Sequence, residues 1–218
     1  MIQAYIFIRS YFTFLMIKFV IFDFDGVIHN TLEIAFKVNK KLNPHLTIEE
    51  YKNFFNGNFY KSADLLKGDK KLKSSNEFFE LQEIEFNSLK IEKVIWENIL
   101  KIKNIYDLFI ITSNLEKTLR NYFERNNLSK IFKEILGFET HTSKVEKFKI
   151  LMKKYDITKY NCVFVTDTLG DILEAHKVGL TTIAVDFGFH ERKRLEKGNP
   201  LTIISKFEEI LPTIQNLS

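Results

Sequence analysis

The sequence predicts an α/β fold in which helices cover both faces of a parallel β-sheet, with an all-helical cap inserted after the first strand. Short apolar runs alternate with amphipathic stretches of about ten to twelve residues, which is typical of parallel strands joined by helical crossovers. The run Phe19 to Phe22 is apolar throughout, as expected for a strand that is buried on both faces. The stretch 30–90 has helical periodicity without a strong strand pattern, so it is expected to pack as a small separate lobe.

Size and composition indicate an ordinary globular protein. The chain has 218 residues, of which 45% are hydrophobic and 28% are charged, enough for one α/β domain with an insertion. The net charge of +4 falls short of a nucleic-acid signature, which requires basic residues clustered on one face. The tightest basic cluster we interpret as a solvated turn. It comprises Lys67, Lys70, Lys71 and Lys73.

The single cysteine, Cys162, lies in an apolar run and is expected to be a buried small hydrophobe rather than a catalytic thiol. No disulfide within the chain is therefore possible, which suits the cytoplasm. Residues 1–15 are apolar and would fit a membrane anchor or signal peptide. Because Arg9 and Lys18 interrupt the apolar stretch and no small-residue cleavage site follows, we favour an extension before a true start at Met16.

The remaining elements follow in order along the chain. We predict cap helices near Leu32, after a capping box formed by Thr47 and Glu50, and over 75–89. The cap's Phe-rich faces would either line a lid or form its own small core, and we favour the latter. After residue 90, alternating helices and strands predict the rest of the sheet. The predicted units are an extension (1–15), a core domain (16–29 and 91–218) and the cap (30–90).

Chemistry-bearing residues stand at the predicted carboxyl ends of the strands, which meet at one edge of a parallel sheet and form the usual ligand site. Asp23 and Asp25, two residues apart on one strand face, would repel each other unless a cation is bound. Their pairing makes this edge a candidate site for metal-assisted phosphoryl transfer. The remaining candidates follow two later strands and open one helix. They are Thr112, Ser113 and Asn114, then Lys144, then Asp167 and Asp171.

In this order, these motifs resemble those of the haloacid dehalogenase (HAD) superfamily, in its phosphatase branch with a helical cap after the first strand, as in phosphoglycolate phosphatases. The resemblance covers Ile17 to Leu211 apart from the cap, and it implies a Rossmann-like core with a three-layer α/β/α parallel sheet. The matching segments are Asp23-Phe24-Asp25-Gly26-Val27-Ile28, Thr112-Ser113-Asn114, Lys144, and Val165-Thr166-Asp167-Thr168-Leu169-Gly170-Asp171.

The resemblance implies a Mg²⁺-dependent phosphatase that hydrolyses a small phosphorylated metabolite through an aspartyl-phosphate. In it, Asp23 is the nucleophile and Asp25 the general acid and base. Mg²⁺ is held by Asp23, the Asp25 carbonyl and Asp167, while Asp171 either contacts these ligands or binds the ion through water. Phosphate is held by Thr112 and Lys144, to which Ser113 and Asn114 add donors. Asp25 itself argues against carbon–halogen cleavage, since dehalogenating members lack an aspartate there.

Two positions depart from the family pattern, and the cap carries no recognisable motif. The family usually has Gly where Thr166 stands, so the acidic loop is expected to shift slightly, and it has Pro where Val145 stands. Alternatives to the phosphatase are a phosphomutase, a receiver-like phospho-acceptor domain and an inactive binding module. Two-apart aspartates on the first strand and the long insertion count against the receiver.

Outside these motifs, three residues carry expectations of their own. His29 and His190 are candidates for the entrance of the site, and Trp96 is expected in the core. We expect neither a nucleic-acid partner nor a membrane association, and the sequence leaves the oligomeric state open.

Overall fold

The structure, a computed structural model, describes residues 17–64 and 75–217. Predictions that fall on the segment 1–15, on Met16 as a start and on the lysine cluster at 67–73 therefore lie outside the described residues. Within the described ranges, no helix is both long and apolar enough to cross a membrane.

Six parallel strands form one sheet in the order β3-β2-β1-β4-β5-β6. Because the strand order reverses beside β1, the carboxyl ends of β1 and its neighbours border a crevice of the kind in which α/β proteins bind ligands. The predicted parallel sheet is confirmed. The strands are β1 (Phe19–Phe22), β2 (Asp107–Ile111), β3 (Phe132–Leu136), β4 (Cys162–Thr166), β5 (Thr181–Val185) and β6 (Thr202–Ile204).

Helices cover both faces of the sheet, which confirms the three-layer prediction. Alternate strand residues point to opposite faces. Val20 and Phe22 pack with α5 (Lys93–Lys103), α6 (Glu116–Arg125) and α10 (Ile210–Gln215). Ile21 faces the other way and packs with α7 (Lys144–Tyr155) and α8 (Leu169–His176). The short helix α9 (Arg192–Leu195) follows β5 and packs through Leu195 against Ala184 of that strand.

Among the described residues, four α-helices lie between β1 and α5, where the sequence predicts an all-helical cap. The Thr47–Glu50 capping box is present: Glu50 N–H donates to Thr47 Oγ1 (3.2 Å) and Thr47 N–H donates to Glu50 Oε2 (3.0 Å). The division into core and cap units stays a prediction. The cap helices are α1 (Leu32–Leu42), α2 (Ile48–Asn53), α3 (Phe59–Asp64) and α4 (Ser75–Phe86).

The prediction that Trp96 belongs to the core is wrong: its side chain is 37% exposed. Helix α5 buries Ile99 and Ile102 and packs Ile95 against the same cluster. Trp96 follows Ile95 by one residue, which turns its side chain about 100° away from that buried stripe. Cys162, by contrast, is buried as predicted.

Candidate active site

Asp23, Lys144 and Asp171 form a buried ion-pair cluster at the carboxyl edge of the sheet. Asp23 follows β1 directly, and Lys144 is the first residue of α7. Lys144 Nζ donates to Asp23 Oδ2 (2.6 Å) and to Asp171 Oδ2 (2.7 Å). All three residues are less than 9% exposed. One ammonium group therefore holds two carboxylates that would otherwise repel each other.

Asp25 is held by two side-chain donors. Thr31 Oγ1 donates to Asp25 Oδ1 (2.5 Å), and Asn114 Nδ2 donates to Asp25 Oδ2 (2.7 Å). Asn114 is in turn oriented from the cap, because Gln82 Nε2 of α4 donates to Asn114 Oδ1 (2.8 Å). A relay of hydrogen bonds thus runs from the cap to the second carboxylate of the predicted motif.

Thr112 and Ser113 lie in a loop that is fixed through its carbonyl groups. The buried Lys147 donates from Nζ to the Thr112 carbonyl, and Tyr60 Oη of the cap donates to the Ser113 carbonyl (2.5 Å). Thr112 Oγ1 accepts from Asn114 N–H (3.1 Å), which leaves its own hydrogen available to an acceptor. The completely buried Thr112 therefore keeps a hydroxyl hydrogen that it can donate.

Asp167, which directly follows β4, is completely buried, and only one of its two carboxylate oxygens accepts a hydrogen bond among the described residues. Its Oδ2 accepts from Phe189 N–H (2.7 Å), whereas its Oδ1 has no hydrogen-bond partner among the described residues. Gly26 and Gly188 pack directly against this side chain, and a Cβ atom at either would lie within 2.4 Å of Asp167 Oδ2. The chain encloses this carboxylate closely yet leaves one oxygen without a donor.

This oxygen, with its neighbours, fits a divalent cation. Carboxylate oxygens of Asp23, Asp167 and Asp171 lie within 4.8 Å of one another. Hard oxygen ligands of this kind suit Mg²⁺. The Asp25 carboxylate is not part of this group, since both its oxygens accept from Thr31 and Asn114.

Burial and the neighbouring charges act in opposite directions on the pKa values of these groups. Burial raises the pKa of Asp23 well above its usual value against the attraction of Lys144, and it raises the pKa of Asp25 despite the bonds from Thr31 and Asn114. Burial also raises the pKa of Asp167 to about 8. Burial opposes the charge of Lys144, but Asp171 and Asp23 outweigh it and hold that pKa above its usual range. A cation in the cluster would favour the ionised carboxylates.

Thr166 stands where the family pattern has glycine, and its side chain joins the cluster. Thr166 Oγ1 donates to Asp171 Oδ2 (2.9 Å), the same oxygen that accepts from Lys144. Asp171 is further placed by the start of α8, where Thr168 Oγ1 accepts from its backbone N–H (3.4 Å). The substitution therefore adds a hydrogen bond to the acidic loop.

The cap is seated closely on this edge of the sheet. Gly57 O lies so near α8 that a Cβ atom at Gly170 would be 2.2 Å from it. Asn58 Nδ2 donates to Thr142 O (3.1 Å) and to the carboxylate of Glu174 (3.2 Å to Oε1). The resulting pocket is lined by residues of both parts. They are Asp23, Asp25, Phe55, Gly57, Asn58, Phe59, Ser113, Lys144, Asp167, Thr168, Asp171, Glu174 and Phe189.

The two candidate histidines do not line this pocket. His190 is buried, where Nδ1 accepts from Leu169 N–H (3.0 Å) and Nε2 donates to Lys52 O of the cap (2.9 Å). His29 is half-buried beside Tyr122 Oη (3.2 Å). His190 therefore joins cap and core, while its ring has no free position for a substrate. The Phe-rich cap segments do form a small core with Phe189, as favoured, yet Phe55 and Phe59 also line the pocket.

All eight predicted site residues lie in this region, and their individual roles stay predictions. Sequence reasoning missed five contributors to the site: Thr31, Tyr60, Gln82, Lys147 and Glu174. Lys147 and Glu174 carried a local signal, since each lies one helical turn after a predicted site residue, Lys144 and Asp171, on the same helix face. Burial and the neighbouring Lys144 lower the pKa of Lys147 to about 7.

A family model described as "Haloacid dehalogenase-like hydrolase" matches residues 20–185, well over half of the chain. A curated phosphoglycolate phosphatase of Vibrio parahaemolyticus is 20% identical over 112 residues, which are 50% of this chain and 49% of that protein. A phosphoglycolate phosphatase of Aliivibrio fischeri is 21% identical over the same shares. The chain thus spans about half the length of these relatives.

Solved structures share the fold over nearly the whole chain. A haloacid dehalogenase-like family hydrolase from Streptococcus pneumoniae superposes with a TM-score of 0.77 at 20% identity, covering 91% of this chain and 99% of that one. At such identity the likeness establishes the fold alone.

Proposed function

Since the chain belongs to the haloacid dehalogenase-like hydrolase family, we propose that it is a Mg²⁺-dependent phosphatase that cleaves phosphate monoesters through an aspartyl-phosphate on Asp23. The observation that carries this proposal is the convergence of two carboxylates, Asp23 and Asp25, with Lys144 at one edge of the sheet. Asp23 is paired with an ammonium group, which together with a bound cation would favour the ionised nucleophile against the effect of burial, while Asp25 sits among neutral donors.

In the first step, an Asp23 oxygen attacks phosphorus and the ester P–O bond breaks. The electron pair goes to the leaving oxygen, which takes a proton from Asp25. Burial holds the pKa of Asp25 above its usual value, which favours the protonated acid that this step needs. In the second step, Asp25 accepts a proton from water as that water attacks phosphorus, and the bond between phosphorus and Asp23 breaks.

The other residues bind charge that develops on the phosphoryl oxygens. Thr112 donates its hydroxyl hydrogen and Lys144 supplies an ammonium group, to which Ser113 and Asn114 add donors. Asp23, Asp167 and Asp171 would hold Mg²⁺, which neutralises phosphate charge and polarises the phosphoryl group when bound. The substrate is a small phosphorylated metabolite, and the proposed location is the cytoplasm.

Hydrolysis of para-nitrophenyl phosphate by the full chain, with and without Mg²⁺, tests this proposal. We expect turnover that requires Mg²⁺ and falls at least about 10³-fold in Asp23→Asn. Asp156→Asn is the matched control, because Asp156 is a helix-end residue with a left-handed backbone (φ 53°) that Asn also adopts. Turnover that survives in Asp23→Asn would contradict the assignment of Asp23 as the nucleophile. Turnover that does not need a metal would contradict the assignment of Mg²⁺.

Metal binding has a readout separate from activity. Mg²⁺ should raise the Tm of the full chain, since a ligand that binds only the folded state stabilises it. Asp167→Asn should lose this shift, because it removes a charged ligand whose Oδ1 lacks a donor. An equal shift in both proteins would contradict the assignment of Asp167 as a ligand.

A further inference from the structure

The described lining of the pocket holds many more acidic than basic side chains. Five of its side chains are carboxylic acids, and Lys144 is its one cationic side chain among the described residues. Lys144 already contacts Asp23 and Asp171 at 2.6 and 2.7 Å. A phosphate group and a divalent cation would occupy that end of the pocket. A second negative charge on the substrate would therefore meet no free cation there.

Glu174 is the carboxylate that phosphoryl transfer does not use. It lies one helical turn after Asp171 on α8 and is 5% exposed. Its Oε1 accepts from Ser143 Oγ (3.1 Å) and from Asn58 Nδ2 (3.2 Å), and Oε2 accepts from the same Nδ2 (3.3 Å). These neutral donors orient the group without cancelling its charge. Glu174 thus places a fixed negative charge where the cap meets the core.

Three aromatic rings also line the pocket, beside Gly57 and the neutral polar residues Asn58, Ser113 and Thr168. The rings of Phe55 and Phe59 stack with centroids 5.0 Å apart, and Phe189 meets Phe55 edge to face at 5.1 Å. The faces of such rings attract cations and accept apolar groups, and they offer no donor to a carboxylate. Two independent features, the aromatic surface and Glu174, therefore favour the same kind of ligand.

Building on the proposed phosphatase activity, we propose that the alcohol part of the substrate carries no negative charge and that an ammonium group on it is preferred. The substrate class is the phosphate monoester of a small amino alcohol. Its phosphate lies at Lys144, and its ammonium group lies between Glu174 and the ring faces of Phe55 and Phe59. Phosphoglycolate, the compound in the names of the two relatives, has a carboxylate in the place of that ammonium group.

A series of three esters of similar length, hydrolysed by the full chain with Mg²⁺, tests this inference. Phosphoglycolate, 2-hydroxyethyl phosphate and phosphoethanolamine carry a negative, a neutral and a positive group on the alcohol. We expect kcat/KM to rise in that order, by at least about tenfold from first to last, since Coulomb interactions in a half-buried site reach that size. The series needs no mutant, so it does not depend on the folding of a variant.

Glu174→Gln then assigns the preference to one side chain. It keeps the shape of the residue and should shrink the ratio of phosphoethanolamine to phosphoglycolate by about threefold or more. Glu208→Gln, which removes the same charge from an exposed residue, should leave the ratio unchanged.

The possible outcomes separate the inference from the function on which it rests. A flat series, or phosphoglycolate as the best of the three, would overturn the inference while leaving the phosphatase in place. So would turnover of para-nitrophenyl phosphate without turnover of phosphoethanolamine. Loss of all four activities would overturn the phosphatase proposal itself. An unchanged ratio of phosphoethanolamine to phosphoglycolate in Glu174→Gln would show that Glu174 does not cause the preference.

Discussion

The core and cap sides of the pocket are built from different interactions. On the core side, Asp23, Asp171 and Lys144 are joined by short ion pairs and are nearly inaccessible to solvent. On the cap side of the pocket, Phe55 and Phe59 contribute ring surfaces, and Tyr60 donates a hydrogen bond to the Ser113 carbonyl of the core. Buried ion pairs tolerate little change, whereas aromatic surface and neutral bonds can be altered gradually. The contrast indicates a rigid reaction centre beneath an adjustable substrate surface.

The largest expected effect comes from breaking the core side at Lys144. Lys144→Met leaves Asp23 and Asp171 without their shared ammonium partner, so the free energy of unfolding should fall by about 3 kcal/mol. Activity should fall by at least about 10³-fold. Denaturant unfolding and kcat/KM for para-nitrophenyl phosphate measure the two effects. Lys149→Met, which removes an exposed lysine from the same helix, is the control, and equal losses in both would refute the special role of the buried pair.

An effect of intermediate size is expected from the hydrogen bonds that run from Gln82 of the cap through Asn114 to Asp25. Asn114→Leu removes the donor to Asp25 and should lower kcat about ten- to a hundredfold, since it leaves a carboxyl oxygen of Asp25 without its partner. Gln82→Leu acts only through Asn114 and should lower kcat by about fivefold. Steady-state kinetics of both variants measure the two decreases in kcat. If Gln82→Leu cost as much as Asn114→Leu, the cap would control the reaction centre as firmly as the core does.

The smallest effect is expected from a change in the cap that removes one hydrogen bond to the core. Tyr60→Phe removes the hydrogen bond to the Ser113 carbonyl, and KM should rise about threefold, with a smaller change in kcat. Tyr155→Phe, whose hydroxyl contacts Glu134 on the surface, is the matched control. A large fall in kcat for Tyr60→Phe would contradict this prediction and show that the contact supports the reaction centre rather than substrate binding.

Much of the core side was predictable because strand ends are predictable. An apolar run followed by a polar residue marks where a buried strand ends, and parallel strands bring such ends together. Asp23, Thr112 and Asp167 were therefore found from local pattern, and so was the sheet that carries them. Helix α8 begins shortly after Asp167, at Leu169, where Thr168 caps it.

The cap side was not predictable for a physical reason. Gln82 meets Asn114, and Asn58 meets Glu174, across long separations in sequence that depend on how two packed surfaces meet. Helical periodicity reports only that a residue faces inward, and nothing local distinguishes a partner of the site from a core residue. Trp96 shows the same limit, because one residue of rotation separates the buried stripe of α5 from its exposed side.

The contact between Gly57 and Gly170 sets how deeply the cap can settle. A Cβ atom at position 170 would lie 2.2 Å from Gly57 O and 2.7 Å from Phe55 O, both of which are backbone atoms with little freedom to yield. Any larger residue there would act as a wedge that lifts the aromatic surface away from the carboxylates. The absence of a side chain at Gly170 therefore lets the cap approach the core this closely. This position helps to set the size of the pocket although it contributes no functional group to it.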